Sequence, residues 1–215
     1  HDLRNPIAAI AGLAGFLKCD AENLTDGQKE IVDSIEEAGK GVVNLLNELL
    51  DLSVMDSGHK ELNRESVDLS ELTRNLVPLF RGEADRKSIL LSCECPGELP
   101  RVSVDRQQIR RVADNLISNA IKFTPAEGRV TLRVVKDGQE VKFQVDDTGP
   151  GIPDKEAHRI FQEFGKTSNK PTGGEKSIGL GLSICHAIVE AHGGSIGFVN
   201  LPEAGARFTV ALPAE

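Results

Sequence analysis

The sequence predicts two domains: an all-α helical hairpin that dimerises into a four-helix bundle, then an α+β sandwich. Three observations predict it. Apolar residues recur about every 3.5 positions through the first 58 residues. Strand and helix patterns fill the rest of the 215-residue chain. The charge divides at the same place, with 11 acidic against 4 basic side chains in 1–58 and 22 against 21 in 59–215. The domains therefore read as 1–58, a hinge over 59–66, and 67–215.

The composition, 39% apolar and 27% charged, belongs to a globular chain and excludes disorder. No apolar run approaches the roughly 18 residues of a membrane span. A chain opening on His1 rather than Met reads as a fragment, so any membrane attachment would lie in segments outside it, and this piece is expected in the cytoplasm. Cys19, Cys93, Cys95 and Cys185 make no C-x-x-C pair and no zinc spacing, and read as reduced, inert thiols. A net charge of −8 with no Trp and no Tyr argues against nucleic-acid binding.

Leu3, Ile7, Ile10, Ala14 and Leu17 set the seam of the first helix. Ile31, Ile35, Ala38, Val42, Leu45, Leu49 and Leu52 repeat it after the turn signals of Asp20 to Gly27. The second helix should run from Asp26 to Asp56 and end at Ser57-Gly58. Two helices bury too little alone, so a second copy is expected to complete a bundle. His1 falls on the rim of this seam, with Asp2 beside it and Asn5 one turn along the same face. A neutral imidazole is a competent nucleophile toward phosphorus, and Asp2 could take its second proton. Pro6 should bend the helix beside His1. Alone, such a His–Asp pair is more often an ordinary surface pair.

The second domain opens with an amphipathic helix from Val67 to Arg86, with Leu69, Leu72, Leu76, Leu79 and Phe80 on its apolar side. Strands follow over Ser88–Cys95 and Arg101–Val104, divided by Pro96-Gly97 and Pro100. Asp105 should cap a helix that runs to Phe123 on an apolar stripe of Ile109, Val112, Leu116 and Ala120. Arg129–Val135 and Glu140–Val145 form a hairpin across Asp137-Gly138. A helix over Ile178–His192 and a strand pair, Ser195–Val199 and Ala206–Leu212, close a largely antiparallel sheet.

Familiar phosphate motifs fail. Gly165-Lys166-Thr167 mimics the tail of a P-loop but lacks its first glycine, and Gly149-Pro150-Gly151 lacks the third glycine of the dinucleotide fingerprint. A distributed site fits better. Asn115 and Asn119 share one face of their helix, and Lys122 continues it; neutral oxygen ligands suit Mg²⁺ shared with phosphates. Asp147 ends a strand beside Gly149 and Gly151, where a carboxylate can accept an exocyclic amine and a flat ring can approach backbone. Gly179-Leu180-Gly181-Leu182 opens a helix whose free N–H groups favour anions. Each of these, taken singly, also reads as a solvated face or a bare turn.

Together with His1-Asp2-Leu3-Arg4-Asn5-Pro6, these motifs resemble, in order and spacing, the core of sensor histidine kinases, relatives of the gyrase and heat-shock ATPases. The first string is similar to the H-box, Asp114 to Pro125 to the N-box, Asp147 to Gly151 to the G1 box, Phe161 to Phe164 to the F-box, Gly179 to Leu182 to the G2 box, and Gly205 to Phe208 to the last glycine box. The resemblance implies an ATP-binding sandwich and a phosphoacceptor at His1. Asp2 would be the general base, and Asn5 would position water for dephosphorylating the partner. It implies Asn119 as principal Mg²⁺ ligand with Asn115 helping, Lys122 on phosphates, Phe123 against the base and Asp147 on the adenine amine. Residues 162–178 would form a mobile lid, with Lys166 reaching phosphate. Thr148, Ser177 and Ala206 depart from the usual boxes. The implied partners are a second copy of the chain and the receiver domain of a response regulator, and whether phosphate moves within or across the dimer stays open. A hydrolytic relative would carry Glu where this chain has Asn115, and a non-catalytic scaffold would have lost a box or the His.

Overall fold

The computed structural model describes residues 4–19, 24–56, 62–95, 97, 99–173 and 179–215. The chain divides into two compact units, His1–Gly58 and His59–Glu215.

The first unit is a hairpin of α1 (Arg4–Cys19) and α2 (Asp26–Asp56). α2 starts where the periodicity predicts, through a capping box: the Thr25 N–H donates to Gln28 Oε1 at 2.9 Å, and the Gln28 N–H donates back to Thr25 Oγ1 at 3.3 Å. α1 runs uninterrupted through Pro6; the expected bend beside His1 falls outside the described residues. Ala14 and Val32 are buried between the helices, whereas Ile10, Leu13, Phe16, Leu17, Ile31, Ile35 and Val42 are exposed. The seam therefore does not close within one hairpin, as expected of half a bundle. Ser57-Gly58 lies outside the described residues.

The second unit is a two-layer sandwich. Its sheet has the order β2 (Leu90–Glu94), β4 (Arg129–Asp137), β5 (Glu140–Asp147), β7 (Ala206–Pro213), β6 (Ser195–Asn200). It is mixed rather than wholly antiparallel: β2 and β4 run parallel because the chain between them crosses over through β3 (Val102–Val104) and α4 (Arg106–Phe123). Helices α3 (Leu69–Arg86), α4 and α5 (Gly181–Ala191) form the other layer. α4 buries Ile109, Val112, Ala113, Leu116, Ile117, Ala120 and Ile121 among Val130, Leu132, Val145 and their neighbours. At about 1.5–3 kcal/mol per buried aliphatic side chain, this stripe anchors the helix that carries Asn115 and Asn119.

Three sequence expectations are corrected. Val67 does not begin a helix; it ends β1 (Glu65–Val67), which pairs with β3, and Asp68 caps α3 by accepting from the Ser70 and Glu71 amides. Within the expected hinge over 59–66, Arg64 donates to the Ser103 and Ala191 carbonyls and the Asn63 N–H donates to Asp105. Leu79, expected on the apolar side of α3, is exposed, because the stripe ends at Leu76 and resumes at Ala84. Finally, α5 starts at Gly181, three residues later than predicted, and His192 is its C-cap. Among the described residues no helix is long and apolar enough to cross a membrane.

Candidate functional site

The site assembles around the exposed flank of α4. One turn apart on this helix, Asn119 Nδ2 donates to Asn115 Oδ1 at 2.8 Å. That bond leaves the Asn119 oxygen without a hydrogen bond among the described residues, and the Asn115 side chain, being an amide, is no base. The start of α5 presses on the same pair: a Cβ on Gly181 would stand 2.3 Å from Asn115 Nδ2. Any side chain at position 181 would push against the Asn115 amide. The amides of Gly181, Leu182 and Ser183 precede the first bond of α5, from Ile184 N to Leu180 O, so they remain available to an anion. Leu180, expected at the nucleotide, is instead fully buried.

Asp147 stands at the end of β5 and is 7% exposed. Its Oδ1 accepts from the Gly149 N–H at 2.8 Å and, more weakly, from Ala206 N at 3.4 Å. Oδ2 accepts nothing among the described residues. Burial is the main cause that pushes this carboxyl above the usual range, against the two backbone hydrogen bonds and with a small addition from Asp146. Gly205, at φ +89°, passes so close that a Cβ would meet the Asp147 carbonyl oxygen at 1.9 Å. The turn after Asp147 also meets α4, since a Cβ on Gly149 would lie 3.0 Å from the Phe123 carbonyl. Lys122 has its ammonium 6.0 Å from the Phe123 ring centroid.

Several residues the sequence reading did not single out hold this arrangement. Asn200 clamps the loop after Gly151, accepting from the Ile152 N–H and donating to its carbonyl, both at 2.8 Å. Asp146 is gripped by Arg133 and Arg207 on the sheet face away from the helices. An Asn at a strand end and an Arg one position into another carry no pattern of their own; only strand register brings them to the site.

The described part of the expected mobile lid is tied down. Asn169 Nδ2 donates to the Gly151 carbonyl at 2.6 Å, Ser168 N to Glu156 at 2.7 Å, and Thr172 N to the Lys122 carbonyl at 3.0 Å. Lys166 is exposed. Phe161 packs on His186 with ring centroids 5.9 Å apart, whereas Phe164 is exposed at φ +57°. Ser177 lies outside the described residues, as do His1 and Asp2; Asn5 falls within α1. The structure thus brings together Asn115, Asn119, Lys122, Phe123, Asp147, Gly149, Gly151 and Gly181. Among the described residues no group of three or more His, Cys, Asp or Glu could hold a metal ion.

Comparison with known proteins gives two family matches. Residues 1–58 match the His Kinase A (phospho-acceptor) domain, and residues 104–215 match the Histidine kinase-, DNA gyrase B-, and HSP90-like ATPase family. Among curated relatives, the circadian input-output histidine kinase CikA of Synechococcus elongatus is 32% identical over 218 residues, covering 100% of this chain and 29% of the relative. The alginate biosynthesis sensor protein KinB of Pseudomonas aeruginosa is 32% identical over 214 residues, covering 99% and 35%. The chain therefore spans about a third of the length of these relatives. Among solved structures, full-length ShkA in complex with AMPPNP matches with TM-score 0.82 at 30% identity, over 100% of this chain and 44% of that one. Histidine kinase ThkA in complex with the response regulator protein TrrA matches with TM-score 0.71 at 30% identity, over 100% and 59%.

Proposed function

Since the chain belongs to the histidine kinase family, with a phospho-acceptor hairpin domain and a gyrase B- and HSP90-like ATPase domain, we propose that it is the dimerising catalytic core of a two-component sensor. It binds ATP with Mg²⁺, moves the γ-phosphoryl group to His1, and passes it to an aspartate on a response-regulator receiver domain. It also dephosphorylates that regulator.

The residues divide the work by their chemistry. Asp147, with one oxygen held by backbone and the other open, accepts the adenine amine. Phe123 packs against the base. Lys122 and the first amides of α5 hold the phosphates by charge and by bare N–H groups. Mg²⁺, held by Asn119 with Asn115 helping, would neutralise charge on the triphosphate. His1 supplies the attacking nitrogen, and Asp2 takes the proton from the other ring nitrogen as the bond to the leaving diphosphate breaks. Asn5 places water for hydrolysis of the regulator's aspartyl phosphate, which releases inorganic phosphate. The exposed seam of the hairpin, Ile10, Leu13, Phe16 and Leu17 on α1 with Ile31 on α2, supports a homodimer. The complex of ThkA with TrrA supports a regulator as the receiving partner.

The observation that carries transfer over hydrolysis is the amide at position 115. Its oxygen already accepts from Asn119, and an amide cannot take a proton from water at ordinary pH. Incubation with ATP labelled at the γ-phosphate tests the reading. Label on the protein that is lost in acid supports it, whereas free phosphate alone would point to a hydrolase and unreacted bound ATP to a scaffold.

A further inference from the structure

Cys93 and Cys95, which the sequence reads as inert thiols, take no part in the nucleotide site. Residues i and i+2 of a strand project to the same side, and β2, an edge strand, brings these two sulfurs to 2.9 Å. Closing a disulfide bond of about 2.05 Å asks them to approach by less than an ångström. Cys95 is the first residue after β2, so its backbone is released from the strand just where that shift is needed. Both thiols are half-buried, within reach of a small reagent, whereas Cys185 is sealed in the core with its sulfur 3.9 Å from the Val112 carbonyl.

The surroundings rank the two sulfurs. The Cys95 thiol is pushed up to about 12, by burial first, then by its hydrogen bond to Cys93 and the charge there, with Arg74 and the Val134 backbone opposing. A thiol raised this far holds its proton, so Cys95 is not the sulfur that attacks first. Thiolate is the nucleophile in thiol–disulfide exchange. Once Cys93 is capped, its share in raising Cys95 is lost while burial remains, and the Cys95 sulfur lies within reach for the closing step.

We propose that Cys93 and Cys95 form a dithiol site that exchanges with low-molecular-weight disulfides and closes a disulfide at the end of β2. The Cys93 thiolate attacks one sulfur of the small disulfide, forming a mixed disulfide and releasing one thiolate. The Cys95 sulfur then attacks the Cys93 sulfur, the protein disulfide forms, and the second small thiolate leaves. The two protein thiol protons end on the two released thiols, the dithiol is oxidised by two electrons and the small disulfide reduced by two. No residue of the nucleotide site takes part, so the inference stands apart from the kinase reading.

The test uses oxidised glutathione on the reduced chain, followed by alkylation of remaining thiols and digestion with trypsin. Residues 88–101 form one tryptic peptide containing both cysteines, with no internal Lys or Arg. The expected product is that peptide lighter by two hydrogens, unalkylated, free of glutathione and restored by dithiothreitol, with Cys185 alkylated only after unfolding. Cys95→Ser should instead retain one glutathione on Cys93. A wild-type peptide recovered doubly alkylated, one that keeps glutathione, or a disulfide joining either cysteine to Cys185 would overturn the proposal, and these wild-type readings hold whether or not the variant folds.

Discussion

Asp147 works against the stability of the domain that carries it. Its folded carboxyl sits above the usual value of 3.8 because burial opposes ionisation. Between 3.8 and that raised value the folded state binds more protons than the unfolded one, so stability falls as pH rises through the window and is flat above it. Asp147→Asn should remove that slope and melt higher than wild type at pH 7, while nucleotide affinity drops about 10–100-fold with loss of a charged acceptor. Thermal melts across pH 3 to 7, beside nucleotide titration, check both halves. His192 has the opposite sign. It is 2% exposed, with Nδ1 2.7 Å from the Ile188 carbonyl and Nε2 accepting the Asp105 N–H at 3.0 Å. Burial, the largest cause, lowers its value from 6.5, with Arg64 in the same direction against Ile188 and Asp105. Below pH 6.5 the unfolded imidazole protonates first, so stability declines with falling pH down to the folded value and then levels. His192→Gln should lose that slope in acid melts and cost about 1–3 kcal/mol at neutral pH, as buried partners go unpaired. Asp147 was singled out in sequence only through its place among the other boxes, since a carboxylate before two glycines also reads as a bare turn. His192 read as an ordinary helix end, because nothing near it in sequence announces that Asp105, 87 residues earlier, will meet it.

At the scale of elements, α4 could be read almost completely, from its Asp105 cap to its apolar stripe, because an 18-residue helix gives its period several repeats. β1 could not: three residues, one of them buried, carry no period, and β3, which pairs with it, begins 35 residues after its last residue. The parallel edge pair was missed for a related reason, since strand direction follows from the crossover through α4 rather than from β2 itself. The same packing makes a testable link between two elements. Gly181→Ala would place a Cβ 2.3 Å from Asn115 Nδ2, and either the amide pair or the start of α5 must move. Mg²⁺-dependent nucleotide affinity should drop at least tenfold, close to the loss for Asn119→Ala, with an overpacking cost of about 1–3 kcal/mol. Isothermal titration of both variants with and without Mg²⁺ reads this, and a Gly181→Ala protein with wild-type affinity would show that the close approach does not matter.

Across the whole molecule, acceptor and nucleotide residues belong to separate compact units, so substitutions at one should leave the other's binding intact. Within the hairpin, Asp2 and Asn5 divide by charge. Asp2→Asn should slow phosphorylation, because an amide cannot take the second imidazole proton. Asn5→Ala should spare phosphorylation and slow decay of the phosphorylated regulator, because only water positioning is lost. Following regulator decay with each variant present separates the two; equal loss of phosphorylation in both would end this division. The central claim is that His1 receives the phosphoryl group from nucleotide bound around Asn119 and Asp147. The direct measurement is γ-phosphate labelling of wild type and His1→Gln, with ATP affinity determined on both. Acid-labile label on wild type, none on His1→Gln, and affinities equal within about twofold are the result expected when the two sites lie in independent units. Persistent acid-labile label on His1→Gln would contradict the account.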